Sequence, residues 1–225
     1  MKRLIQFGLA TATLALLTTS ASAVSPLTGS SPFDAPLASG QTAVVTFDGA
    51  NPAVNAPGYT FSGSITGLVY NGADGLHQNI AAPPFGDLTH YMAIQEGQSA
   101  ILNTPILTSL SIYIGSLDPT NEITFKGAGG YIKSFMGSDL FTPATGNQSN
   151  GENNRRFFFN FTPAEKVDQI VFTSGQNSFE FDTIGALASG VPEPGTWAMM
   201  LLGFGGIGFM LRASKRREMN VAAAA

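Results

Sequence analysis

Leu107-Thr108-Ser109-Leu110-Ser111-Ile112-Tyr113-Ile114 is the stretch that decides how the chain folds. Leu110, Ile112 and Ile114 recur at period two, so they share one face of an extended strand. The same grain runs outward in both directions. Upstream, Thr42 to Phe47 ends at the turn signal Asp48-Gly49, Gly58 to Ser62 alternates, and Ile65 to Tyr70 reads as its partner strand. Tyr91 to Ile94 and Ala100 to Leu102 follow. Downstream, Asp118-Pro119-Thr120-Asn121 is a turn before the strand Ile123-Thr124-Phe125. Arg156 to Phe161, Lys166 to Thr173 and Phe179 to Ile184 complete the set. No long stretch between the ends of the chain has helical period. Many short strands between Gly, Pro, Asn and Asp predict an all-β body: a single antiparallel β-sandwich, jelly-roll-like. Two polar stretches, Asn71 to Asp87 and Thr142 to Asn154, read as long loops that project from the sandwich and could carry a binding site.

The ends differ from the body. Lys2 and Arg3 precede an uncharged apolar run from Leu4 to Leu17, then Ala21-Ser22-Ala23. That order predicts a secretory signal peptide over 1–23, cut by signal peptidase so that Val24 becomes the first residue. Residues 24–190 form the ectodomain. At the other end Val191-Pro192-Glu193-Pro194-Gly195 is a rigid break, because two prolines fix the backbone and remove two donors. Trp197 to Leu211 carries no charge, and Arg212, Lys215, Arg216 and Arg217 follow. An indole at one edge and a basic cluster at the other mark the two interfaces of a transmembrane helix, 197–211, with its basic end in the cytoplasm. The run spans roughly 22 Å at ~1.5 Å per residue, less than the ~30 Å of hydrocarbon. With four glycines it reads better as a tail that an enzyme removes than as a permanent anchor. Residues 218–225 are expected to be a short cytoplasmic tail.

Charge and composition exclude several functions. Of 11 Lys+Arg, six lie in the end segments, and of 15 Asp+Glu only Glu193 and Glu218 do. The body from Val24 to Gly190 therefore holds 5 basic and 13 acidic residues, a formal charge of −8. An acidic body repels phosphate backbones, so nucleic acid is not an expected partner. With 0 Cys there is no thiol catalysis, thiolate metal site or disulfide, and the domain must hold together by burial or with a bound ion.

Enzyme constellations are sparse, and no catalytic residue is assigned. His77 and His90, the 2 His, have no metal-ligand spacing, and G-x-S-x-G, P-loop and G-x-G-x-x-G patterns are missing. Glu180 and Asp182 alternate on one strand and so share a face, at a spacing that overlaps glycosidase carboxylate separations. Phe179 and Phe181 take the opposite face, and a half-exposed strand would show the same alternation. Hard oxygen ligands for a structural calcium ion are offered by Asp48, Asp118, Glu180 and Asp182, although no compact Asp/Asn/Gly ligand loop gathers them. Sugar binding lacks its best platform, since the only Trp is Trp197 in the tail, while the 5 Tyr all lie in the body.

The tail carries a family resemblance. Pro192-Glu193-Pro194, Trp197-Ala198-Met199-Met200, the Gly-rich apolar run and the basic cluster, in that order, resemble the PEP-CTERM sorting signal in its P-E-P-x-x-W-A variant. Segments Gly115 to Asp118, Asn121 to Phe125 and Phe179 to Asp182 more loosely resemble β-rich ectodomains of other PEP-CTERM proteins. The resemblance implies recognition by exosortase, an integral-membrane cysteine protease that acts near Pro192-Glu193-Pro194. It also implies a Gram-negative-type bacterium that makes extracellular polysaccharide. The expected protein is an inner-membrane-anchored precursor that becomes a non-enzymatic surface or matrix protein associated with polysaccharide. A carbohydrate-binding module is the alternative, and a glycoside hydrolase ranks third.

Overall fold

Aromatic rings join the two halves of the body. Phe125 meets Phe159 at 4.8 Å between centroids, and Phe172 stacks on Phe181 at 4.3 Å. Phe159 and Phe181 belong to one antiparallel sheet, Phe125 and Phe172 to another, so these contacts mark the dry layer between them. The structure is a computed structural model that describes residues 25–48, 56–63, 65, 68–78, 80–190, 199–208 and 212.

Twelve strands are formed among the described residues: β1 Leu27–Pro32, β2 Thr42–Val45, β3 Thr60–Phe61, β4 Val69–Asn71, β5 His90–Ile94, β6 Ser99–Asn103, β7 Leu107–Gly115, β8 Asn121–Gly127, β9 Tyr131–Met136, β10 Arg155–Asn160, β11 Val167–Ser174 and β12 Phe179–Ala188. A one-turn helix, α1 Gly137–Leu140, follows β9. One sheet has the order β1-β10-β7-β12-β5-β4, with β2 also paired to β12; the other runs β3-β6-β11-β8-β9. Every strand pair is antiparallel.

β7 and β12 are the axis of the larger sheet, paired from Glu180↔Gly115 to Ala188↔Leu107. Leu110, Ile112 and Ile114 are fully buried in the core, as their period predicts. Phe179 and Phe181 are buried beside them. A bulge at Thr183, with φ 24°, shifts the register of β12, after which Ile184 and Ala186 return to the core.

One expectation is corrected and two strands are added. Ile65 to Tyr70 does not pair with Gly58 to Ser62: Leu68 lies in a helical turn, β4 pairs with β5, and β3 pairs with β6 in the other sheet. Each short strand finds more partner backbone on a separate sheet than in a hairpin of two. β1 and β9 were not expected. β9 buries Phe135 but exposes Ile132, Lys133, Ser134 and Met136, too little alternation to betray it, and β1 carries Pro32 as an edge strand may.

The predicted signal peptide 1–23 and its cleavage residues Ala21, Ala23 and Val24 lie outside the described residues. So do Pro192, Glu193, Pro194, Trp197, Lys215, Arg216, Arg217 and the tail 218–225. Residues 199–208 are helical and exposed and fall within 197–211, and Arg212, just past that span, is helical and exposed as well. Among the described residues no helix is long and apolar enough to cross a membrane.

Candidate functional site

The outer face of the larger sheet is polar, and two segments cover it. Residues 33–41 lie across β7, β10 and β12, where a Cβ on Gly185 would meet Leu37 Cδ2 at 2.6 Å and Ser111 Oγ at 2.9 Å. The Gln41 side chain bonds the hydroxyls of Ser109 and Ser111 at 3.1 and 2.7 Å. From the other side comes the first long loop. Pro84 packs so closely on Gly115 that a Cβ there would sit 2.6 Å from its Cα. Ala81, Tyr91 and Ala93 form a small second core beneath this loop, with Tyr70 against it.

Arg156 and Asn154 hold these covers down. Arg156 is 1% exposed, on the opposite face of β10 from Phe157 and Phe159. Its guanidinium donates to Ala35 O at 2.7 Å and Thr183 O at 2.8 Å, and pairs with Asp34. Such a fork is fully used only when carbonyls and a carboxylate surround it. Asn154 accepts from Phe85 N at 2.9 Å and Ser116 N at 3.2 Å, and donates to Asn147 O and Asn150 O at 3.0 and 2.9 Å. One buried amide thus ties the first long loop to the second.

Two depressions open between these covers. The first, about 430 Å³, is lined by Gly72, Leu76, Pro83, Phe85, Leu88 and, from the second loop, Gln148 and Ser149, among others. Both loops singled out in the sequence therefore meet at one cleft. Phe33 and Phe85, 42% and 45% exposed, lie 5.2 Å apart. The second depression, about 380 Å³, shares the Phe85–Leu88 rim and has a different chemistry. Asp182 and Tyr113, a cross-strand pair, line it together with Thr183 from the bulge. Asp34, Asp48 and Asp87 join them, each from a different segment.

The electrostatics follow from this enclosure. Asp182 is 5% exposed; Thr183 Oγ1 donates to its Oδ2 at 3.0 Å, and its Oδ1 has no hydrogen-bond partner. Burial pushes its carboxyl up to about 8, with Asp87 and Asp48 adding repulsion. Asp87 Oδ1 accepts from the Thr89 N–H and hydroxyl at 2.8 and 2.6 Å, while its Oδ2 is buried without a partner. Burial raises Asp87 as well, and Asp48 and Asp34 add to the rise. Tyr113 donates to Phe85 O at 2.7 Å, and burial pushes its phenol well up.

The sequence candidates separate at this point. Asp48 and Asp182 share the acidic depression, but Asp118 and Glu180 do not line it. Asp118 lies in the turn before β8, where its N–H donates to Asn121 Oδ1 at 2.7 Å. Glu180 is 2% exposed and its carboxylate is occupied: Ala82 N donates at 3.1 Å, Ser116 Oγ at 2.6 Å, and Ser178 Oγ also donates. Burial raises it to about 7. Glu180 and Asp182 do leave the core by the same face, yet Glu180 is sealed under the loop and cannot reach a glycosidic oxygen. No group of three or more His, Asp or Glu side chains among the described residues is arranged to hold a metal ion. His77 stacks on Tyr70 at 4.2 Å, and His90 sits exposed at the start of β5. Asp34, Asp87, Tyr113 and Arg156 were missed. Only Arg156 left a signal, a charge alternating with Phe157 and Phe159 in a strand.

The chain has no match among curated proteins. Residues 190–217, which begin two residues after β12 ends, match the family model of the PEP-CTERM protein-sorting motif. The chain thus carries a PEP-CTERM protein-sorting motif, which implies export, a membrane-anchored precursor and exosortase as the processing partner.

Proposed function

We propose that the mature molecule is a non-enzymatic surface or matrix protein associated with extracellular polysaccharide. In that reading signal peptidase cuts after Ala23, the jelly-roll-like ectodomain folds outside the inner membrane, and the helix at 197–211 holds the precursor there. Exosortase then acts near Pro192-Glu193-Pro194. The motif match at 190–217 is the observation that carries this order of events. The physical logic is that Arg212, Lys215, Arg216 and Arg217 resist translocation, Trp197 prefers the interface, and the prolines keep the preceding chain extended for a protease. A non-enzymatic body is supported by the sealed state of Glu180, which removes the Glu180–Asp182 pair that the sequence offered for glycoside chemistry. The alternative, a carbohydrate-binding module, draws support from Phe85, which lines the loop cleft and pairs with exposed Phe33, offering an aromatic face to a sugar ring.

The test is the mass of the surface-associated protein in strains with and without exosortase. Processing gives a species that lacks Trp197 to Arg217 only when exosortase is present, and Glu193→Ala leaves full-length precursor in the inner membrane. Retention of that segment in both strains would make it an ordinary anchor. A glycan array separates the two readings of the body: saturable binding weakened by Phe85→Ala favours the module.

A further inference from the structure

The two orphaned carboxylate oxygens carry an inference that is independent of the sorting reading. Asp87 Oδ2 and Asp182 Oδ1 are both buried, both lack a donor, and both belong to residues lining the same depression. A buried carboxylate oxygen without a hydrogen-bond donor is a costly arrangement that folded proteins avoid. Two in one pocket, with Asp34 and Asp48 on its walls, add mutual repulsion. The nearby cation, Arg156, is committed to Asp34 and to backbone carbonyls, so it does not neutralise the pair.

We propose that this depression is a divalent-cation site, occupied by calcium outside the cell, in which Asp87 Oδ2 and Asp182 Oδ1 are the direct protein ligands. The donors suit a hard cation, since every candidate is oxygen. Calcium fits better than magnesium because it accepts six to eight oxygens in irregular geometry, whereas magnesium demands a near-ideal octahedron. Among the described residues no third carboxylate is placed to ligate with these two. Asp34 and Asp48 therefore contribute charge from the walls, and water fills the remaining positions in a depression of about 380 Å³. Two direct carboxylates and an open water-filled shell give a weak site, with Kd on the order of 10⁻⁴–10⁻³ M, the range of extracellular modules.

The ion would also explain the architecture. Asp182 belongs to the central strand β12, and Asp87 to the loop that covers it. An ion between them clips the loop 80–89 to the sheet, beside the cleft where the two long loops meet.

The experiment uses the full chain, purified in detergent and stripped with chelator, titrated with calcium chloride by calorimetry at pH 8. One saturable site per chain is expected, with magnesium binding at least about tenfold more weakly. Asp182→Asn and Asp87→Asn should each weaken calcium by about tenfold or more, the loss of one charged ligand out of two. Asp118→Asn, outside the depression, should leave affinity unchanged. If either ligand variant fails to fold by circular dichroism, Asp48→Asn takes its place, with a loss of about threefold through charge alone. Terbium luminescence sensitised by Tyr113 provides a second readout, lost in Tyr113→Phe while calorimetric binding persists. Absence of a saturable site, or affinity indifferent to Asp87→Asn and Asp182→Asn, overturns the proposal. So does equal binding of calcium and magnesium that salt abolishes, since that describes a diffuse counterion cloud.

Discussion

The two faces of β12 stand a few ångströms apart and obey different chemistry. Phe179, Phe181 and Ile184 look inward into the hydrophobic core; Glu180 and Asp182, the residues between them, look outward and are buried under loops. The inner face is held by packing, which does not depend on protonation. The outer face buries carboxylates whose energy depends on protons, donors and counter-charge. Burial alone therefore does not tell what a strand's face does. The larger sheet is buried on both sides, yet only its outer side carries a candidate site.

The largest break of this contrast is Phe181→Ala. It removes a ring that contacts Phe47, Phe172 and Phe179, and should cost about 3–5 kcal/mol. Urea denaturation should give the same loss at pH 5 and pH 8; a loss that changes with pH would mean the two faces are not separable.

pH should move the outer face alone. In the unfolded chain Glu180 and Asp182 ionise near pH 4, whereas folding raises them to about 7 and about 8. Between these limits the folded state holds protons that the unfolded state has released, so stability is full below pH 4 and declines as pH rises toward 8. Each group contributes a slope of at most about 1.4 kcal/mol per pH unit, and a continuous loss of stability across that range is expected in chelator. Thermal unfolding across that range measures it, and a flat or rising profile contradicts the burial of these carboxyls.

The smallest effect is at Glu180. Glu180→Ala strands the Ala82 N–H and the Ser116 and Ser178 hydroxyls, although the hydroxyls can turn to other acceptors. A cost of about 2 kcal/mol at pH 6 is expected, with hydrogen exchange faster at Ala82. Unchanged exchange there would show that the loop does not depend on this carboxylate.

Particular residues show how far the sequence could be read. Period two in Leu110, Ile112 and Ile114 and in Phe179 and Phe181 was legible because each strand reports its own burial. The tail was legible because its motif is local. Asp34 and Asp87 were not, since each reads as an ordinary turn residue until the fold brings residues 33–41 and 80–89 over β7 and β12. Asp48 and Asp182 were read as oxygen ligands by residue type, while Asp118 and Glu180, equal to them in sequence, go elsewhere. Convergence is a property of topology, and no spacing along the chain encodes it here. β9 stayed hidden for a simpler reason: an edge strand with an exposed outer face has no alternation to see.

β12 is the last strand among the described residues, and the sorting motif begins two residues after it. It runs through the middle of its sheet, bonded to β7 along most of its length and to β2 and β5 on the other side. Ser189 extends the grip by donating to Ile106 O at 2.6 Å. A pull from the membrane would therefore act along β12 and load its ladder of transverse hydrogen bonds together, in shear, rather than one after another as in peeling an edge strand. Drag on the body of a membrane-anchored precursor would therefore be met first by a strand clamped on both sides.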